Sequence, residues 1–474
     1  MRYVKKYKGI FAFLLTFAFI LQYSSFLRVS ADFVPVVDKI YSEGVYMVNL
    51  DTDVVIYSKN ENQRFYPASI TKIMTAVVVL ENCPNLDATV RIGYEATNEF
   101  WSSDLNKQGP STAALEAGQT NITYRDCLYA LMLASACEAA NILALNLCGS
   151  IENFTALMNN KAKQLGCLDT HFSNAHGLWE AENYSTPYDM YLISRYAYDR
   201  VPNFMEICDT YSYAFPANQY NPDGYTKYTT NPLITPSSDF YLDYVHGIKT
   251  GSINVYYDKD GNVHDGGRCL VTTAQKNGYT YLLVTMQAPF YNEENKAYNY
   301  SALDHYNLYE WAYKSFTYKE VVTKGEICTE LDVEQGEEDR IQLAAEADFT
   351  TIVPSDLVEG SEDGPVQRKR TLLYEKVVAP VKKGEVLGRL DIVYQGDVIK
   401  TIDLVASKSI ERSQIAYLVD RAKSLTETSW FSPLLVLLLI CILTDIVLMA
   451  IRRRRLIQEA KRNERMRRRK NMGR

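Results

Sequence analysis

The strand-like run from Gly44 to Leu50, rich in Val, Tyr and Met, breaks at Asp51-Thr52-Asp53 and resumes over Val54-Val55-Ile56-Tyr57, which predicts a two-stranded hairpin. The period then lengthens. Ile70 to Leu80 is apolar over a helical length, and Pro67 precedes it. Leu128, Leu131, Met132, Ala139, Ile142 and Leu143 recur at helical spacing between Tyr124 and Cys148, so one largely buried helical region is expected there, with Ser135 inside it. Val245 to Thr250 reads as a short strand. Leu270–Ala274 and Tyr281–Met286 read as two more, split by Lys276-Asn277-Gly278, and Ser301 to Tyr318 as a closing helix. Strands at both ends with helices between predict a mixed α/β domain, a sheet flanked by helices.

Beyond about Lys319 the pattern changes to short strands punctuated by Gly325, Gly336, Gly384, Gly388 and Gly396, with Ile402, Leu404 and Ala406 in strict alternation. A small antiparallel β domain is expected over 319–410, with Glu359 to Arg370 as a surface loop. Ile415, Leu418, Val419, Ala422 and Leu425 mark an amphipathic helix over 411–429. Residues 430–451 are almost wholly apolar and long enough to cross a bilayer, and Arg452-Arg453-Arg454-Arg455 follow at once.

Charge refines this picture. The chain carries −7 overall, but unevenly. Residues 452–474 hold twelve Lys/Arg against Glu459 and Glu464, and residues 1–31 hold five and no acid. Apart from Asp445, the chain between these ends has 33 basic and 54 acidic residues, close to −21. Such a surface argues against a nucleic-acid partner, which demands basic surface. Arg2, Lys5, Lys6 and Lys8 before the apolar run Gly9–Leu21, with Val29-Ser30-Ala31 after it, predict an export signal over 1–31. Basic residues stay on the cytoplasmic side, so residues 32–429 are expected outside the cell membrane, held by a single pass, with the tail inside. Eight of the nine cysteines lie outside the span, and their spacing fits no zinc site; whether they pair is left open.

Three short strings carry chemistry: Ser69-Ile70-Thr71-Lys72, Ser135-Ala136-Cys137 and Lys249-Thr250-Gly251. Serine attacks a carbonyl only when a base takes its proton, and a lysine one helical turn on places an amine beside the hydroxyl. That amine must be neutral, which burial or a neighbouring cation achieves. Lys249 is a candidate for that cation and, with Thr250, for holding a substrate carboxylate. Ser135 is a candidate to relay the proton to a leaving nitrogen. No histidine is needed; His246, three residues before Lys249, is expected in a supporting position.

These strings sit in wider context. Pro67-Ala68-Ser69-Ile70-Thr71-Lys72-Ile73-Met74-Thr75-Ala76 resembles the nucleophile segment of the D-alanyl-D-alanine carboxypeptidases, the low-molecular-mass penicillin-binding proteins of the SxxK serine peptidase type. His246-Gly247-Ile248-Lys249-Thr250-Gly251 is similar to their third motif. Phe172–Leu178 and Thr186–Met190 resemble the connecting segment, and Ala379–Gly384 with Gly388 their C-terminal β domain. The resemblance implies a penicillin-binding, β-lactamase-like transpeptidase domain over 32–318. It implies Ser69 as acylated nucleophile, Lys72 as general base and Ser135 as proton relay. Lys249, Thr250 and Gly251 would hold the terminal carboxylate, and the backbone N–H groups of Ser69 and Ser252 would form the oxyanion hole. The substrate implied is the peptidoglycan stem pentapeptide, β-lactam antibiotics would acylate the same serine, and no cofactor or metal is required. Cys137 departs from the pattern: the family has Asn there, whose amide helps position substrate, and a thiol donates and accepts weakly. Two other readings use the same residues. One is a β-lactamase or esterase, which would need a carboxylate such as Glu180 or Glu182 at the site. The other is a catalytically impaired wall-binding homologue.

Overall fold

The computed structural model describes residue 35 and residues 39–471, except 99, 101–103, 220, 258–262, 356–365 and 395–396. The expected export signal lies outside these residues. The described residues divide into two compact units: those up to 321 with those of 349–368 and 392–400, and those of 322–348 and 369–391 with those from 401 onward.

The first unit is built on a five-stranded sheet of β1 (Gly44–Asn49), β2 (Val54–Lys59), β5 (Val245–Tyr257), β6 (Val263–Lys276) and β7 (Tyr279–Ala288), in the order β2-β1-β7-β6-β5. Every ladder in it is antiparallel. Alternation along β7 assigns its faces. Leu282, Val284 and Met286 enter the larger core with the helices, while Tyr281 and Leu283 face a second core with Leu308, Tyr309 and Ala312. Those last three lie on α6 (Tyr300–Ser315).

On the other face lie α1 (Lys72–Asn82), α2 (Tyr124–Met132), α3 (Cys137–Cys148), α4 (Ile151–Gln164) and α5 (Pro187–Arg200). Residues Lys72 to Val79 of α1 are all buried, as befits a helix apolar on nearly every side. The starts of α2 and α5 follow from local chemistry. Thr123 and Asp126 form a reciprocal capping box, and Thr186 caps a helix whose first residue is Pro187. A small hairpin, β3 (Ser212–Phe215) and β4 (Tyr225–Tyr228), precedes β5.

Three expectations need correction here. The helical region over Tyr124–Cys148 is two helices, and Ser135 lies in the break between them at φ 57°. The periodicity survives because both helices turn their apolar faces into one core, so a four-residue interruption leaves no mark in it. The last helix ends at Ser315, not Tyr318, because Phe316–Val322 forms a strand paired with Phe349–Pro354. Its Phe, Tyr and Val residues favour a pleated surface. The strands around the third motif are also longer than their apolar centres, since β5 and β6 continue into exposed polar residues.

A six-stranded sheet, most of whose residues belong to the second unit, has the order Val366–Leu372, Val386–Tyr394, Asp397–Ala406, Arg340–Ala345, Ile327–Glu334, Lys376–Val378. One ladder, Lys376–Val378 on Ile327–Glu334, is parallel. Within the expected surface loop, Val366 to Arg370 belong to an edge strand, and residues 356–365 lie outside the described residues. The charges of Arg368, Lys369 and Arg370 fit an edge, where they discourage pairing with another chain. A helix over Gln414–Thr426 is followed by one over Phe431–Asn471, long and apolar enough to cross a membrane and exposed throughout its apolar stretch.

Candidate active site

Ser69 lies in a single 3-10 turn, Ala68–Thr71, that runs directly into α1. The turn is tightly enclosed. A Cβ on Gly177 would stand 1.9 Å from the Ala68 carbonyl oxygen, and one on Gly251 would stand 3.1 Å from Pro67 O and the Ser69 nitrogen. Two glycines from distant segments thus let the connecting loop and β5 press against the nucleophile turn. Ala68 itself is held at φ 51°, a conformation uncommon for a residue with a Cβ.

Lys72 is the first residue of α1 and is wholly buried. Its Nζ donates to Ser69 Oγ at 2.9 Å and to the His176 carbonyl at 2.5 Å, and stands 3.6 Å from Cys137 Sγ. Burial holds the Lys72 amine below the ordinary lysine value, opposed by Cys137 and Glu138. Lys249, on β5, is equally buried, and its Nζ donates to the Thr250 carbonyl at 3.0 Å. Burial, with the charge of Lys72 second, pushes it well below the usual range. His176 falls to about 3 from burial and then Lys72, so its ring is neutral; its carbonyl accepts from Lys72, and its Nδ1 accepts from the Leu178 N–H at 3.1 Å.

Ser69, Ser135, Cys137, Thr250, Gly251 and Ser252 line one cavity of about 230 Å³. The three strings therefore meet, from the 3-10 turn, the break before α3, and β5. Lys72 reaches Ser69 from below, and Lys249 is buried behind Thr250. Cys137, whose backbone N–H donates to the Ser111 carbonyl at 2.9 Å, stands beside Lys72 with its thiol proton held tightly by burial.

Pattern reading missed several residues of this cavity. Thr230 shares a hydrogen bond of 2.6 Å with Thr250 Oγ1, and Gln108, Asn254 and Arg268 also line the walls. Glu138, next to Cys137, accepts from Thr112 Oγ1 at 2.6 Å and from the Ala113 N–H at 2.7 Å, fixing the loop that carries Ser111. A lone acid within an apolar helical run was the available signal for it. His246 pairs with Asp209 at 2.9 Å, which raises its pKa, and takes no place on the cavity wall. Glu180 binds Asn174 instead, and no carboxylate is among the cavity's lining residues. No group of three or more metal-ligating side chains occurs among the described residues.

The chain belongs to the D-alanyl-D-alanine carboxypeptidase family of serine peptidases, whose family model matches residues 31–290. A second model, the penicillin-binding protein 5 C-terminal domain, matches residues 316–412. Among curated relatives, D-alanyl-D-alanine carboxypeptidase DacF of Bacillus subtilis is 26% identical over 375 residues, 78% of this chain and 86% of the relative. DacD of Escherichia coli is 25% identical, covering 84% and 94%. Among solved structures, penicillin binding protein 5 of Haemophilus influenzae superposes with a TM-score of 0.57 at 22% identity, over 80% of this chain and 99% of that one, and shares the fold.

Proposed function

We propose that this protein removes the terminal D-alanine from peptidoglycan stem pentapeptides through an acyl-enzyme on Ser69. The observation that carries this reading is the 2.9 Å contact between Ser69 Oγ and the buried Lys72 amine, whose pKa is depressed. Neutral Lys72 takes the Ser69 proton as Oγ bonds to the penultimate D-alanine carbonyl carbon. The backbone N–H groups of Ser69 and Ser252 receive the developing oxyanion. The proton then passes from Lys72 through Ser135 to the D-alanine nitrogen, and the C–N bond breaks. Water, deprotonated by Lys72, hydrolyses the ester and frees Ser69. Lys249, Thr250 and Gly251 bind the substrate's carboxylate, and Cys137 occupies the wall beside its amide. The same serine is acylated by β-lactams. A cavity wall without a carboxylate favours this reading over a β-lactamase, and the intact Ser69–Lys72 contact favours it over an impaired homologue.

The arrangement proposed for the chain is a signal over 1–31, the catalytic domain over 32–318, the β domain over 319–410 and a stalk over 411–429. A membrane span over 430–451 and a basic tail over 452–474 complete it, with the catalytic domain outside a bacterial cell membrane and the tail in the cytoplasm. The continuous apolar helix from Phe431 supports the span. The test of the activity is labelling with a fluorescent penicillin and D-alanine release from pentapeptide. Both should occur in the native protein and vanish in Ser69→Ala; labelling that persists in that variant, or maps to a cysteine, overturns the assignment.

A further inference from the structure

A second groove, of about 540 Å³, opens beside the nucleophile segment, and the aromatic residues on its lining are Phe65, Tyr66, Tyr184 and Tyr256. Two features tie it to the catalytic cavity. Tyr66 immediately precedes the Pro67-Ala68-Ser69 turn. Along β5, Thr250, Ser252 and Asn254 line the catalytic cavity and Tyr256 lines the groove. Alternate residues of a strand share one side, so a single side of β5 runs from one site into the other. β5 is also the last strand of its sheet, with a neighbour on one side only.

The groove's walls are braced. Tyr66 and Tyr256 meet edge to face at 4.7 Å, Trp179 lies 6.3 Å from Tyr256, and Arg64 covers Tyr184 at 4.4 Å. Gln63, Glu182 and Gln287 supply hydrogen-bonding groups on the same lining. Aromatic rings with amides and a carboxylate at the rim match a pyranose. Its axial C–H hydrogens carry partial positive charge and seat against ring faces, while its hydroxyl and acetamido groups require polar partners.

Distance selects which part of the substrate arrives there. With the terminal carboxylate at Lys249–Thr250, an extended peptide antiparallel to β5 passes Ser252 and Asn254 toward Tyr256. Thr250 to Tyr256 spans about 20 Å at the rise of a strand. Five extended residues span about 17 Å. The amino end of a stem pentapeptide, where the sugar is attached, therefore falls at the groove.

We propose that the Tyr66–Tyr184–Tyr256 groove binds the amino sugar that carries the stem peptide, so that the enzyme prefers glycan-linked over free pentapeptide. This rests on the stem-peptide reading above. The test compares kcat/KM for D-alanine release from free pentapeptide and from the same pentapeptide on its disaccharide, using the full chain in detergent. The native enzyme should favour the glycan-linked substrate about tenfold, mainly through KM. The ratio should fall to near one in Tyr256→Ala and persist in Tyr256→Phe, while penicillin labelling of Ser69 reports an intact site in both. A ratio of one in the native enzyme, or a ratio that Tyr256→Ala leaves unchanged, overturns the groove assignment alone. Release from neither substrate overturns the carboxypeptidase reading and this one with it.

Discussion

Replacing Cys137 by the asparagine found in the family pattern probes the site most sharply, because the structure predicts two opposing effects with different pH dependence. Cys137 Sγ is 3.6 Å from Lys72 Nζ and faces the cavity that holds Ser69. A carboxamide there brings an oxygen that accepts from Lys72. A hydrogen bond to a charged group contributes about 1.5–3 kcal/mol. Because it favours the ammonium form, it raises the proton affinity of Lys72 roughly ten- to a hundredfold. The same carboxamide bonds the substrate's amide, worth about 0.5–1.5 kcal/mol, or up to roughly tenfold in turnover. Cys137→Asn should therefore retain or raise kcat/KM for a D-Ala-D-Ala peptide at alkaline pH, with the midpoint of its pH profile moved upward. The assay is peptide hydrolysis from pH 5 to 10, with circular dichroism to confirm folding. Activity that collapses at every pH in a folded variant would refute the reasoning and assign the small thiol a task of its own.

Lys72→Arg keeps the charge but cannot supply a neutral base, so penicillin acylation should fall by about 10²–10⁴-fold; near-native acylation would rule out the base role. In the native enzyme the acylation rate should rise with pH through the depressed Lys72 value and level off above it, and a rate that falls over that range would contradict a neutral lysine base. Stability should follow the same sign. Between the folded value of Lys72 and its ordinary 10.5 the unfolded chain binds the extra proton, so this residue's contribution grows as pH rises, readable by chemical denaturation of native and Lys72→Met proteins. Glu138→Ala strands the Thr112 hydroxyl and the Ala113 N–H, costing about 1–3 kcal/mol, whereas Glu138→Gln keeps an acceptor oxygen; equal melting temperatures for both variants would count against that anchoring role. Protease added to intact cells should digest residues 32–429 and spare a tag after Arg474, and external cleavage of the tag would reverse the topology.

The elements legible in the sequence were those whose residues face one environment along their length. The β1–β2 hairpin announced itself through two short runs of Val, Ile, Tyr and Met split by Asp51-Thr52-Asp53, and α1 through an unbroken apolar run after Pro67. The three motifs located Ser69, Ser135 and Thr250 because bond-making chemistry constrains residue type at fixed spacing. The break at Ser135 was hidden because the helices on either side feed one core, and because serine at φ 57° carries no glycine-like signal. Thr230 and Asn254 were hidden for a different reason: their place on the cavity wall is set by where β5 and its neighbouring loop meet, which no local pattern encodes. The strand at Phe316 escaped because an aromatic run at a helix end satisfies either period.

The close approach of Gly177 to the nucleophile turn has a bearing on drug escape. With 1.9 Å between a would-be Cβ and the Ala68 carbonyl oxygen, and φ at 80°, any side chain at 177 must displace the turn that aims Ser69. A β-lactam and the natural peptide both need that aim, so a mutant blinded to the antibiotic by this route is blinded to its substrate as well. Positions on the cavity wall outside that turn, such as Gln108 and Asn254, are where selection can tell them apart. The buried turn is thus the least evolvable part of the cavity, and the part an inhibitor does best to engage.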